Sequence, residues 1–425
     1  MILMTLVEQH QYSRDSEHFK ELDHLCFLAK NLYNSTLYQI RKYFFETNKY
    51  LSYKKINKLS YELFPKDYSA LPIKVSQQVE KLVDQNFRSF FALLKMKKEH
   101  PELDLQVNIP GYLDKIKGRQ ELTFTNQALS SNNRNTPKGY VRLSGLSFLI
   151  KTNVENIQFA RIVPHNSYIT IEIGYEVEEP EIINNDRYAS IDIGVNNLAT
   201  VTSNVFEPFI INGKPLKSIN QNYNKRISKL ASQNSTTLDD WSKWSNLMNS
   251  ITRKRTNKIK DYMHKASKHI VNQLVENHIS LLVIGHNNEW KQDISGKRSK
   301  KNNQNFVQIP FNQFISMLKY KCSLAGIQVV LQEESYTSKC SFMNQDFIPT
   351  YGVNDELFKP SGYRYKRGLY KNHNTSKNKT FINSDVNGSL NILRKFLTEQ
   401  VAWNEKIFSD CVEVCSTPTV YTVKV

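Results

Sequence analysis

No stretch of this 425-residue chain approaches the roughly 18 consecutive apolar residues of a membrane span, so no membrane partner is expected. The start of the chain has no signal-peptide pattern. Cysteine is scarce. Cys26, Cys322, Cys340, Cys411 and Cys415 are scattered, which fits a reducing compartment. A cytoplasmic protein is expected. Acidic residues are outnumbered, with 40 Asp+Glu against 57 Lys+Arg, a net charge of +17 and a pI near 9.4. That surplus favours a polyanionic partner, because neutralising phosphates releases their condensed counterions. The plainer alternative is a basic protein whose charge serves solubility. Internal repeats are absent and low-complexity stretches are short. Aromatic residues are plentiful: 22 Tyr and 22 Phe exceed the needs of the core, and exposed rings stack on unpaired bases.

The length allows two or three cores. Residues 15–103 read as a helical domain. Val75, Val79, Leu82, Val83, Phe90, Phe91 and Leu94 hold helical spacing, with Lys81, Arg88, Lys95, Lys97 and Lys98 nearby. From residue 104 the texture turns to short β-like runs at 121–125, 140–143, 157–160 and 167–173. A run at residues 5–8 would join them, giving a β-rich domain of residues 1–14 and 104–184. The acidic, proline-containing stretch 176–186 marks its boundary with a third region, 185–425. That region reads βββ-α-β-α-β-α. Its strands are predicted around Asp192, through Thr202, at 208–212, at 279–284 and at 327–331. The last two are continuous apolar runs, as in strands buried on both faces. Three antiparallel strands followed by strands reached through helices are the RNase H-like order, an α/β mixed sheet covered on both faces. Arg253, Lys254 and Arg255 lie in its long helical segment and are candidate phosphate contacts.

Two acids carry the chemistry. Asp192 lies in Ser190-Ile191-Asp192-Ile193-Gly194-Val195-Asn196-Asn197-Leu198-Ala199-Thr200, a buried strand with one acid, a turn and a second strand. Asp385 lies in Ser384-Asp385-Val386-Asn387-Gly388-Ser389-Leu390-Asn391-Ile392, where Ser384 is expected to cap a helix. Taken singly, these fit a strand-end turn residue and a helix cap. Together they occupy the positions where an RNase H-like nuclease holds Mg2+. Hard cations take oxygen ligands, and a two-metal site activates water for phosphodiester cleavage.

These segments resemble the first and third RuvC motifs of the TnpB family, transposon-encoded relatives of compact type V CRISPR effectors. Tyr336-Thr337-Ser338-Lys339-Cys340-Ser341 resembles the segment leading into that family's zinc ribbon. The resemblance spans residues 188–395. It implies a RuvC-like nuclease domain over 185–425, a helical recognition domain over 15–103 and a wedge domain over 1–14 with 104–184. It also implies an RNA-guided DNA endonuclease using two Mg2+ ions, or Mn2+, a transposon-derived guide RNA and double-stranded target DNA.

The chain departs from the family in two places. Gly285 stands where the second RuvC acid usually ends its strand. The region of the zinc ribbon holds only Cys340, so no structural zinc is expected, and His373 reads as a loop residue. The insert 341–380 instead carries Arg364, Lys366 and Arg367 among tyrosines, as a nucleic-acid contact or a solvated loop. For the missing acid, the neighbouring parallel strand ends at Glu333-Glu334, about 4.8 Å away. Only one of this pair can face the site. Glu334 is preferred over Glu333, with Glu289 third, and Gly285 is expected to leave the space open. The expected metal ligands and catalytic residues are therefore Asp192, Glu334 and Asp385. The alternatives are a cleavage-dead, RNA-guided DNA-binding protein and an RNA-independent, resolvase-like nuclease.

Overall fold

The computed structural model describes residues 3–234, 241–287, 308–373, 380–400 and 402–424. Glu289 and the lysines at 377 and 379 lie outside them. The chain divides into two compact units, Met1–Glu178 and Glu179–Val425. Among the described residues no helix is long and apolar enough to cross a membrane.

In the first unit, β1 (Leu3–Ser13) pairs antiparallel with β7 (Tyr168–Glu178) along its whole length. The sheet continues through β6 (Ile157–Pro164) to β2 (Leu122–Thr125). A small second sheet holds β3 (Leu129–Asn133), β4 (Thr136–Leu143) and β5 (Ile150–Lys151). The helices are α1 (Phe19–Thr47), α2 (Tyr53–Leu63), α3 (Pro65–Ser69) and α4 (Ile73–Glu99). Leu22, Leu37, Val75 and Phe87 from the helices share one apolar cluster with Phe124, Ile162, Ile171 and Ile173 from the strands.

The second unit is built on a six-stranded mixed sheet. β8 (Tyr188–Ile193), β9 (Asn197–Ser203) and β10 (Phe209–Asn212) run antiparallel in succession. Helices α5 (Lys214–Asn234) and α6 (Trp241–Glu276) lead to β11 (Leu281–His286), which lies parallel to β8. Helix α7 (Phe311–Ser323) then leads to β12 (Gln328–Glu333), parallel to β11. A three-stranded insert follows: β13 (Gly362–Lys366), β14 (Leu369–Asn372) and β15 (Phe381–Asn383). It passes directly into α8 (Ser384–Glu399), then α9 (Glu405–Val414). The last strand, β16 (Thr419–Tyr421), joins the far edge beside β10 and has no counterpart in the sequence reading. The sheet order β12-β11-β8-β9-β10-β16 is RNase H-like.

Strand periodicity decides which face each residue serves. Ala189, Ile191, Leu282 and Ile284 pack with Met263 and Phe314 of α6 and α7. Val283 and Val330 pack on the other face with Val386 and Leu390 of α8. Side chains alternate along a strand, so Asp192, Gly285 and Glu334 all belong to the α8 face.

Candidate active site

Asp192 is the fifth residue of β8 and sits opposite Thr200 of β9. Its neighbour on the same face, Ser190, forms a buried hydroxyl cluster with Thr202 (2.8 Å) and Ser389 (3.2 Å). That cluster fixes α8 against the strand bearing the acid. Asn391 continues the anchorage, donating to the carbonyls of Thr337 (2.9 Å) and Cys340 (2.8 Å). Close approach requires Gly388, where an added Cβ would stand 2.9 Å from Asp192 Oδ2.

Asp385 enters from the first turn of α8. The expected cap is corrected here: Asn383, not Ser384, closes this helix end. The Asn383 side chain accepts from the amides of Asp385 (2.9 Å) and Val386 (3.2 Å), and Ser384 is already helical. The two oxygens of Asp385 are held differently. Asn197 Nδ2 donates to Oδ2 at 2.6 Å, and Arg364 Nη2 donates to Oδ1 at 3.3 Å and to the Ser384 hydroxyl at 3.2 Å. Asp192, Asp385, Asn197, Asn196 and Thr200 line a cavity of about 170 Å³.

Glu334 follows β12, on the strand beyond Gly285. A Cβ at Gly285 would stand 2.9 Å from Glu334 Oε2 and 2.5 Å from Ile392 Cδ1. The absence of a side chain at Gly285 leaves space that the Glu334 carboxylate occupies, together with the Ile392 methyl. Glu333 has other partners. Its carboxylate accepts from Lys395 Nζ (2.5 Å) and the Ser335 amide (2.7 Å). Burial pushes the Glu333 carboxyl up, but these bonds outweigh it and leave the carboxyl below its usual range.

The acids act on one another. Burial, then the charges of Glu334 and Asp385, hold the Asp192 carboxyl well above the usual carboxylate range, with Arg364 opposing them. Among the described residues no three His, Cys, Asp or Glu side chains are already grouped as a metal centre. Arg364 and Asn197 occupy the polar contacts of Asp385 instead. The donor chemistry nonetheless suits a hard divalent cation, because all three acids offer oxygen and carry mutually repelling charge.

Two family models match, over the end of the first unit and much of the second. Residues 172–291 match OrfB_IS605, described as a probable transposase, and residues 311–392 match the Cas12f1-like TNB domain. Over these residues the chain is similar to TnpB-like proteins. No curated protein matches it. Solved structures similar to this TnpB-like chain include a Cas12f1-sgRNA-target DNA complex, at 13% identity and TM-score 0.49, covering 88% of this chain and 82% of that one. Another is the mini-RNA-guided endonuclease CRISPR-Cas_phi3, at 9% identity and TM-score 0.44, covering 92% of each chain.

The candidate phosphate contacts of the TnpB-like chain divide. Lys254, Lys366 and Arg367 are exposed, and Arg253 is half-buried. Arg255 turns inward, donating to Asn220 Oδ1 (2.7 Å) and the Gln308 carbonyl (2.8 Å) beneath the Tyr223 ring. Arg364 turns to Asp385. The insert is an ordered small sheet rather than a plain loop. Asp346 fastens it, accepting from the Ser341 amide (2.6 Å), the Ser361 amide (2.9 Å) and the Ser361 hydroxyl (2.5 Å). Cys340 is buried, and the His373 ring stacks on Tyr363. Sequence reading missed Asn197 and the pairing of Arg364 with Asp385. Asn197 stood inside the first motif, but only the fold reveals that its amide meets an acid 188 positions away.

Proposed function

We propose that this TnpB-like protein is an RNA-guided, Mg2+-dependent DNA endonuclease whose metal ligands are Asp192, Glu334 and Asp385. The observation that carries this reading is geometric: Asp192 of β8 and Asp385 of α8 line one cavity, and the Glu334 carboxylate after β12 lies beside Gly285 of the intervening strand. Their oxygens suit two Mg2+ ions, or Mn2+, which when bound generate hydroxide from water and stabilise the leaving oxygen of a phosphodiester. Gly285 permits the Glu334 side chain to cross the intervening strand. Asn197 orients the Asp385 carboxylate, and Arg364 balances its charge until divalent cations enter. Freed from Asp385, the Arg364 guanidinium is suited to hold a phosphate of the strand being cut.

The transposon-derived guide RNA and double-stranded target DNA are proposed as partners from the family match and the net charge of +17. On this reading, residues 15–103 serve as a recognition domain, residues 1–14 and 104–184 as a wedge, and residues 185–425 as the nuclease. The test is to purify the protein, sequence any discrete RNA that accompanies it, and offer matching plasmid with and without Mg2+. Mg2+-dependent cutting at the matched site supports the reading. Matched binding without cutting would favour a cleavage-dead binding protein, and cutting without RNA would favour a resolvase-like nuclease.

A further inference from the structure

One face of α1 carries Asp23, Phe27, Lys30, Asn34, Tyr38, Arg41 and Phe45, spaced by three or four residues. A strap, residues 110–119, with a turn at 114–118, runs antiparallel along that face. Arg119 pairs with Asp23 at 2.8 Å, and Lys30 Nζ donates to the Lys115 carbonyl at 2.7 Å. Asn34 bonds both backbone groups of Leu113 at 2.9 Å, and Arg41 donates to the Pro110 carbonyl at 3.0 Å. Each tie uses a side chain of α1 and, except for Arg119, backbone of the strap. The strap's own Tyr112, Lys115, Ile116 and Lys117 are thereby left exposed.

At the far end of this face the Arg41 guanidinium contacts two rings, 5.1 Å from the centre of Tyr112 and 5.7 Å from that of Phe45. The rings are not buried: Tyr38 is 52% exposed, Phe45 66% and Tyr112 48%. Among the described residues no carboxylate pairs with Arg41. The charged residues next to the rings in the chain are Arg41 and Lys42 against Glu46, with Asp114 two residues past Tyr112, while Lys115 lies further along the face beside Lys30. The Asp114 carboxylate is engaged by the amides of Ile116 (2.9 Å) and Lys117 (2.6 Å). Exposed rings alternating with cations, on a rigid backbone, suit a ligand with flat faces and negative linkages between them.

We propose that Tyr112, Arg41 and Phe45, with Tyr38 one turn away, form a platform on which unpaired bases of a single-stranded nucleic acid stack. Lys42, exposed next to Arg41 in α1, is available to its phosphates. This does not rest on the nuclease reading, since a platform of this kind works whether or not the second unit cuts.

The test uses full-length protein freed of nucleic acid and short fluorescent single strands in three forms: DNA, RNA and an abasic strand with the same number of phosphates. Phe45→Leu and Tyr112→Leu keep apolar bulk and remove the ring. Each is expected to weaken base-bearing strands by roughly fivefold or more while leaving the abasic strand unchanged. The salt dependence of binding should stay the same, because the phosphate contacts remain. The DNA and RNA arms identify the source of the strand by the tighter affinity. A strand carrying 5-iodouracil should crosslink, on irradiation, to peptides containing Tyr38, Phe45 or Tyr112. Equal weakening of all strands, no weakening at all, or crosslinks confined to other peptides would overturn the proposal. So would a changed oligomeric state with unchanged strand affinity, which would make the surface a protein contact.

Discussion

At the scale of single residues, the proposed site makes distinct demands on its acids and on what holds them. Asp192→Ala and Asp385→Ala should abolish cutting yet leave nucleic-acid binding largely intact, because phosphate contacts are dispersed over other residues. A plasmid-cleavage assay beside a binding assay checks both halves. Glu334→Gln should be nearly as damaging as Asp192→Ala, since an amide keeps the shape but lacks the charge a divalent cation requires. Glu333→Gln should be mild for cutting, because that carboxylate is spent on Lys395 and Ser335. Asn197→Ala should weaken Mn2+ binding by about 10-fold or more, the usual cost of losing a group that orients a metal ligand. Electron paramagnetic resonance of Mn2+ measures this without relying on activity, and in an Asp385→Asn background the same change should add nothing. The raised pKa of Asp192 carries a sign. An acid whose folded pKa lies above its unfolded one costs stability at neutral pH, and the cost shrinks as pH falls below the raised value and is gone only below the ordinary carboxylate pKa, about 4. Asp192→Asn should therefore raise the melting temperature of metal-free protein at pH 7, raise it progressively less as pH falls, and leave it nearly unchanged only at about pH 4 or below.

At the scale of elements, α8 matters most, because it delivers Asp385 and also backs Asp192. Its seat on the sheet is polar where Ser389 meets Ser190 and Thr202, all three fully buried or nearly so. Thr202→Val keeps the shape and removes one hydroxyl from this cluster, and should cost about 1–3 kcal/mol, read from urea unfolding. The periodic apolar runs made β8, β11, β12 and α8 legible in sequence, since burial on a sheet or helix face imposes their spacing. Other features left weaker traces. β16 is short, pairs in parallel with a strand more than two hundred residues away and exposes Val420, so no local pattern marks it. The insert read as a loop because its order comes from Asp346 bonding to residues on both sides, which composition does not encode. Nor could sequence show that Asn383 rather than Ser384 caps α8, because both residues suit that role.

For the whole molecule, charge was the clearest signal and position the poorest. The surplus of 17 positive charges pointed to a polyanion before any fold was considered, but not to where it lies. Of the arginines named as candidate contacts, Arg255 is used between helices and Arg364 at an acid, which distance in sequence concealed. Binding of matched DNA should weaken steeply with salt, in a straight line of log affinity against log salt concentration. A titration over a range of KCl concentrations would test this, and a flat response would argue against a phosphate-dominated interface.

Gly285 bears on how such proteins are counted. An inventory that looks for an acid at the end of each expected strand, one strand at a time, would file this chain among the inactive. The same inventory run over adjacent strands would find Glu334 Oε2 within 2.9 Å of where a side chain at Gly285 would begin. On the proposed reading the acid has moved one strand sideways, and the Glu334→Gln cleavage assay decides whether the vacancy at Gly285 is a loss or a relocation.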